Sequence, residues 1–159
     1  MARMLDDDEL RAYIALVAAG DLMQRSVAAQ LSEHELSTLQ FSILATLLAH
    51  PDGLRMRDLA ERMVISRSGL TYQITQLEIR GFVVRTASTD DDRGVEVQLA
   101  EPGRERIRAA FPGHLELVRG VFLDVVEPGQ IAPLRATLEQ VVDKLRARPL
   151  AKRSVGGSD

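Results

Sequence analysis

The chain has no cysteine and no tryptophan, only 4% aromatic residues, three histidines, and two lysines, Lys144 and Lys152, both far along the sequence. Without cysteine there are no disulfides, thiolate metal sites, cysteine nucleophiles or thiol redox sensors, so stability has to come from packing. No run of 18 or so apolar residues exists to span a bilayer. The opening Met1-Ala2-Arg3-Met4, followed by the acidic Asp6-Asp7-Asp8-Glu9, lacks the basic-then-apolar order of a secretory signal. The expectation is a cytoplasmic protein with no membrane association. Catalytic signatures are also missing. His34, His50 and His114 are scattered, and there is no His-Glu-x-x-His, no glycine-rich phosphate loop and no Gly-x-Ser-x-Gly elbow. No enzyme activity, cofactor or metal is expected.

What is present is a chain of 159 residues, 45% hydrophobic, enough for one sizeable core and helices that need a further surface to cover them. The net charge of −3 is unevenly spread. Residues 1–52 are net −5, residues 53–85 hold six arginines against three acids for a net of +3, and the remainder is net −1. The basic excess of the middle third is all arginine, whose planar fork suits phosphates and guanine edges better than an ammonium does.

Periodicity gives a coarse map. Leu10, Tyr13, Ile14, Val17, Leu22, Met23 and Val27 recur at helical spacing behind an acidic N-terminus, which predicts a long first helix with a kink at Gly20. Ser37 followed three residues on by Gln40 has the capping-box spacing, and a second helix is expected from there to about Ala49, before the turn His50-Pro51-Asp52-Gly53. Leu54 to Met56 reads as extended and Arg57 to Met63 as a short helix. Val64-Ile65 is then a tight link, and Ser66 caps a helix ending at Gly81, so the pair forms a helix-turn-helix. In its second helix Leu70, Ile74 and Leu77 share one face, which turns Ser68, Thr71, Tyr72, Thr75 and Gln76 away from it. A merely solvated face would carry more Glu and Lys; this one offers hydrogen bonds.

Phe82 to Thr86 and the alternating Val95 to Leu99 predict a β-hairpin with its tip at Ser88 to Gly94, which completes a winged helix. The three consecutive acids Asp90-Asp91-Asp92 on that tip diverge from one another and do not make a cation site. A fifth helix, with Pro102 near its start, is expected to run past a bend at Pro112-Gly113 to Phe122. The break Glu127-Pro128-Gly129 precedes a sixth, with Leu134, Leu138, Val141, Val142 and Leu145 on one stripe. The fold class is therefore mainly α with a small β-hairpin wing (α+β). It divides into an N-terminal helix (1–35), a winged helix-turn-helix module (36–100), C-terminal helices (101–149) and a flexible tail (150–159). The apolar stripes of the terminal helices exceed what one module can cover, and a homodimer about a two-fold axis would bury them.

In order and spacing, these residues resemble the MarR (multiple antibiotic resistance regulator) family over about residues 10–148. The matching runs are Leu54-Arg55-Met56-Arg57-Asp58-Leu59-Ala60, Ser66-Arg67-Ser68-Gly69-Leu70-Thr71, Leu77-Glu78-x-Arg80-Gly81-Phe82-Val83-x-Arg85, Asp91-x-Arg93-Gly94-Val95 and Leu99-x-x-x-Gly103. The resemblance implies a dimeric transcriptional regulator, a repressor on a near-palindromic operator in double-stranded DNA, released by a small aromatic or phenolic effector. It implies that Arg67, Ser68, Thr71, Tyr72 and Gln76 face the major groove and that Arg93 on the wing enters the minor groove. Ser37, Thr38, Arg57 and Arg85 would hold phosphates. Two positions depart from the family pattern: Asp92 stands where many members have an arginine, and Ala100 where a threonine usually caps the fifth helix. Tyr13 and His34 lie where an effector pocket is conceivable, but core or surface packing accounts for them better, and no ligand residues are assigned. The competing reading is a winged helix used only for protein–protein interaction.

Overall fold

The computed structural model describes residues 4–87 and 94–147, in two compact units, residues 1–119 and 120–159. The expectations for Asp90-Asp92, for Arg93 and for the tail 150–159 lie outside the described residues.

The first unit begins with α1 (Asp7–Ser32), opened by a reciprocal capping box in which the Glu9 amide donates to Asp6 Oδ1 at 2.8 Å and the Asp6 amide to Glu9 Oε2 at 2.9 Å. The helix continues through Gly20 without interruption. Only Val27 and Leu31 of α1 are buried; Leu10, Tyr13, Ile14, Val17 and Leu22, upstream of them, stay exposed. Ser37 and Gln40 cap α2 (Thr38–Leu48) in the same reciprocal way, and Phe41, Ile43, Leu44 and Leu47 are buried.

After the turn, β1 is only Leu54–Arg55, and α3 (Met56–Met63) takes Met56, which the sequence had suggested as extended. α4 (Arg67–Ile79) follows, then β2 (Val83–Ala87) and β3 (Val95–Leu99). The strands form an antiparallel sheet in the order β1-β3-β2, with Val83 opposite Leu99 and Arg85 opposite Val97. Leu31, Leu44, Leu59, Leu70, Ile74, Val97 and Ile107 meet in one fully buried core, so the ends of α1 and α5 are built into the same hydrophobic centre as the helix-turn-helix.

Ala100 begins α5 (Glu101–Val118) without a side-chain cap. Gly103 lies in its first turn, against the backbone of Phe82: a Cβ there would stand 2.1 Å from the Phe82 carbonyl oxygen. The helix passes through Pro112 and ends at Val118, short of the expected Phe122. Arg119–Leu123 instead form a π-helical turn holding Gly120, a residue that favours regular α-helix poorly. Within the second unit, Pro128–Gln130 make one 3-10 turn and lead into α6 (Ile131–Arg146). Phe122, Ile131, Leu134, Leu138 and Val142 line an apolar groove of about 700 Å³ along α6, none of whose residues is buried.

Candidate nucleic-acid interface

The link between α3 and α4 is set by hydrogen bonds that close the end of α3. The Ile65 amide donates to Ala60 O at 3.3 Å and the Val64 amide to Glu61 O at 3.2 Å, a Schellman arrangement that puts Val64 at φ 55°. This left-handed position usually belongs to glycine, and a β-branched residue there costs about 1–2 kcal/mol. Ser66 then caps α4, its hydroxyl accepting from the Gly69 amide at 3.1 Å and lying 3.2 Å from the Ser68 hydroxyl. At the far end Gly81, at φ 71°, closes α4 in the same manner, the Phe82 amide donating to Leu77 O at 2.9 Å. α4 is thus fixed at both ends relative to α3 and β2.

With Leu70, Ile74 and Leu77 buried, α4 turns Arg67, Ser68, Thr71 and Tyr72 fully outward and leaves Gln76 half-buried. Ser68, Tyr72 and Gln76, four residues apart, form one outward row. The Thr71 hydroxyl donates to Arg67 O at 2.8 Å, so what it presents outward is lone pairs and a methyl group. Thr75, expected on the same polar face, is turned partly toward the sheet. It donates to Thr71 O at 2.9 Å and accepts from Arg85 Nη2 at 2.8 Å.

Beside this face lies a groove of about 520 Å³ between the starts of α3 and α4 and the strand pair, lined by Arg55, Met56, Arg57, Arg67, Leu70, Thr71, Arg85, Gly94 and Val95. Four guanidinium groups stand around one concavity, two of them beside carboxylates: Asp58 Oδ1 is 3.2 Å from Arg57 Nε and Glu78 Oε2 is 3.3 Å from Arg85 Nη1, so the positive field there is partly offset. Arg57, Arg67, Thr71 and Arg85 are thus brought together, with Ser68, Tyr72 and Gln76 on the adjoining row. Ser37 and Thr38 sit elsewhere, exposed at the start of α2, with Thr38 beside Asp21, Gln24 and Arg25 of α1. Arg93 lies outside the described residues. Arg55, counted in the sequence only as charge, joins the groove because β1 pairs with β3. That pairing is tertiary and left no local signal.

Away from the groove, Tyr13 is exposed on α1 in a shallow depression with Ile14, Val17 and Leu22. The carbonyl of His34 accepts from Arg106 Nη1 at 3.0 Å, and the same nitrogen reaches Glu35 Oε2 at 3.0 Å. Arg80 donates to Glu35 O at 2.8 Å, and the guanidinium carbons of Arg80 and Arg106 lie 4.4 and 5.5 Å from the centre of the Phe82 ring. These contacts tie the ends of α1 and α4 to α5. His114, on α5, packs 4.5 Å from Phe41, ring centre to ring centre. Burial lowers its pKa from the ordinary histidine value, and its Nδ1 is buried without a protein partner.

Among known proteins, the sequence profile described as the MarR family matches residues 36–95, the stretch from the α2 cap into the wing. The HTH-type transcriptional regulator YfiV of Bacillus subtilis is 38% identical over 90 residues, a match that takes in 56% of this chain and only 56% of YfiV. Sco3205, a MarR family transcriptional regulator from Streptomyces coelicolor solved in complex with DNA, is 28% identical with a TM-score of 0.87, covering 92% of each chain. AbsC, a MarR family transcriptional regulator from the same organism, is 30% identical with a TM-score of 0.88, covering 92% of this chain and 100% of that one. With identity at that level along the whole of AbsC, and the family profile spanning the helix-turn-helix, this chain belongs to the MarR family.

Proposed function

We propose that the chain is a cytoplasmic, homodimeric transcriptional repressor that binds a near-palindromic site in double-stranded DNA. The observation that carries this is the juxtaposition on α4: an outward row of hydrogen-bonding side chains, Ser68, Tyr72 and Gln76, directly beside a groove ringed by four arginines. Base edges in a major groove need the first, and the flanking phosphates need cations beside it, here Arg55 and Arg57. In this reading Arg67, Ser68, Thr71, Tyr72 and Gln76 read bases, while Arg55 and Arg57 hold phosphate beside the groove. Ser37 and Thr38 meet the backbone farther out, and Arg93 enters the minor groove. The DNA held by Sco3205 supports carrying the same partner to this chain.

Dimerisation is supported by the apolar residues that α1 leaves in solvent, from Leu10 to Leu22, and by the apolar groove along α6. Two modules joined in this way would place their α4 helices about one turn of DNA apart, on the order of 34 Å. Release by a small aromatic or phenolic ligand belongs to the same proposal on the strength of the family alone. Such a ligand acts only by preferring a dimer whose α4 spacing does not fit DNA.

The test is a mobility-shift titration against the DNA upstream of the chain's own gene, with light scattering on the same samples. The unaltered chain is expected to form a specific, salt-sensitive complex, and Arg67→Glu to abolish it while remaining dimeric. A monomer, or an Arg67→Glu variant that binds as the parent does, contradicts the reading. Retained binding of a protein partner without any DNA affinity would favour the interaction-module alternative.

A further inference from the structure

The family resemblance implied a phosphate contact for Arg85; in the structure its guanidinium is turned to α4. Strand parity decides where it points. Val83 is 1% exposed and faces the core, so Arg85, two residues on, emerges on the same side of β2, opposite the fully buried Val97. There it meets α4. Thr71, Thr75 and Glu78 are spaced i, i+4 and i+7, one stripe around the helix from the buried Leu70, Ile74 and Leu77. Arg85 Nη2 donates to Thr71 O at 3.2 Å and to the Thr75 hydroxyl at 2.8 Å, and Nη1 lies 3.3 Å from Glu78 Oε2. Because the Thr75 hydroxyl gives its own proton to Thr71 O, its lone pairs are held toward the guanidinium. Both terminal nitrogens are thus engaged, and a carboxylate stands against the positive charge.

We propose that Arg85 is a positioning residue that locks the wing strand β2 to the middle of α4 and so sets the angle between the two elements offered to DNA. The proposal rests on the DNA-binding reading for its consequence and on the free protein for its mechanism. Val83 is the only buried residue of β2, and beyond it the Arg85 network joins the strand to α4 in polar form. A phosphate-binding arginine would carry its charge outward; this one spends it on Glu78. Loosening the lock leaves every phosphate contact in place but lets the wing and α4 drift, so that both no longer fit one duplex at once.

The experiment uses the full chain with Thr75→Val, which keeps the side-chain shape and removes the acceptor, Arg85→Gln, and the double variant. Binding to the specific duplex is followed by fluorescence anisotropy across a salt series, and backbone amide exchange is measured in the free proteins. Each single variant is expected to bind roughly 10-fold more weakly with an unchanged dependence on salt. The double variant should be no worse than the weaker single, as coupled partners behave. Exchange of the β2 amides and of the second half of α4 should be several-fold faster in both single variants. The proposal is overturned if Arg85→Gln lowers the salt slope by about one, the mark of a lost phosphate contact, while Thr75→Val binds and exchanges as the parent does. If the parent itself binds no duplex, the DNA reading fails and the exchange measurement alone decides: faster in both variants supports the lock, and unchanged rates refute it.

Discussion

Replacing Gly103 with alanine sets two effects of opposite sign against each other. Helix propensity favours the change: alanine in a helix is better than glycine by about 1 kcal/mol. The packing forbids it. The new Cβ would stand 2.1 Å from the Phe82 carbonyl oxygen and 3.0 Å from Leu99 Cδ1, whereas ordinary carbon–oxygen contacts begin near 3.3 Å. The obstacle is backbone, and that same carbonyl accepts the Ala100 amide at 3.0 Å, so α5 has to move off the Phe82 backbone by about an ångström and strain this bond. Overpacking of this kind costs about 1–3 kcal/mol and a lost hydrogen bond about 1 more, against which the propensity gain returns about 1. The net expectation is a loss of about 1–3 kcal/mol, a fall in Tm of about 2–12 °C for a chain of this size. Thermal unfolding at fixed protein concentration checks it, since a dimer's Tm moves with concentration. A Gly103→Ala protein as stable as its parent, or more so, would refute a close approach of α5 to the Phe82 backbone.

At the other strained positions the signs differ. Val64→Gly removes the left-handed penalty of an exposed valine and is expected to leave stability unchanged or raise it by up to about 1 kcal/mol; a loss above about 1 kcal/mol in urea unfolding would contradict this. Gly81→Ala, at φ 71° with nothing within 4 Å of the new methyl, should cost about 1 kcal/mol through backbone strain alone, and a neutral result would tell against the strain. Because burial lowers the pKa of His114, the unfolded chain takes up its proton first as pH falls. Its contribution is therefore intact above about pH 6.5 and is lost below it. His114→Leu should flatten the decline of stability between about pH 7 and pH 5, and identical pH profiles for the two proteins would exclude the effect.

What was readable in the sequence was what local chemistry dictates. The Ser37–Gln40 box, the Ser66 cap, Gly81 and the alternation of Val95 to Leu99 each mark an element by their own residue types, and the structure has those elements where they point. The order of the motifs was enough to suggest the family. What was hidden depends on register between elements distant in sequence. Arg85 looks like any strand-end cation until β2 is laid on α4, and Arg55 enters the groove only through the pairing of β1 with β3. Val64 in a left-handed conformation carries no signal, because the residue that announces such a turn is glycine. The π turn at Arg119–Leu123 was missed for the opposite reason: the apolar spacing continues through it to Phe122 while the backbone does not stay α-helical.

In the proposed complex the polar row of α4, with Arg67, reads bases, while Arg55 and Arg57 hold only the backbone. Binding of Gln76→Ala and of Arg57→Gln to a set of duplexes covering every single-base-pair change in the specific site separates the two roles most directly. Gln76→Ala should lose discrimination at one position in each half-site, by about 1–3 kcal/mol, and keep it elsewhere. Arg57→Gln should weaken all the duplexes alike. Uniform weakening by Gln76→Ala, or no change at any position, would contradict the account.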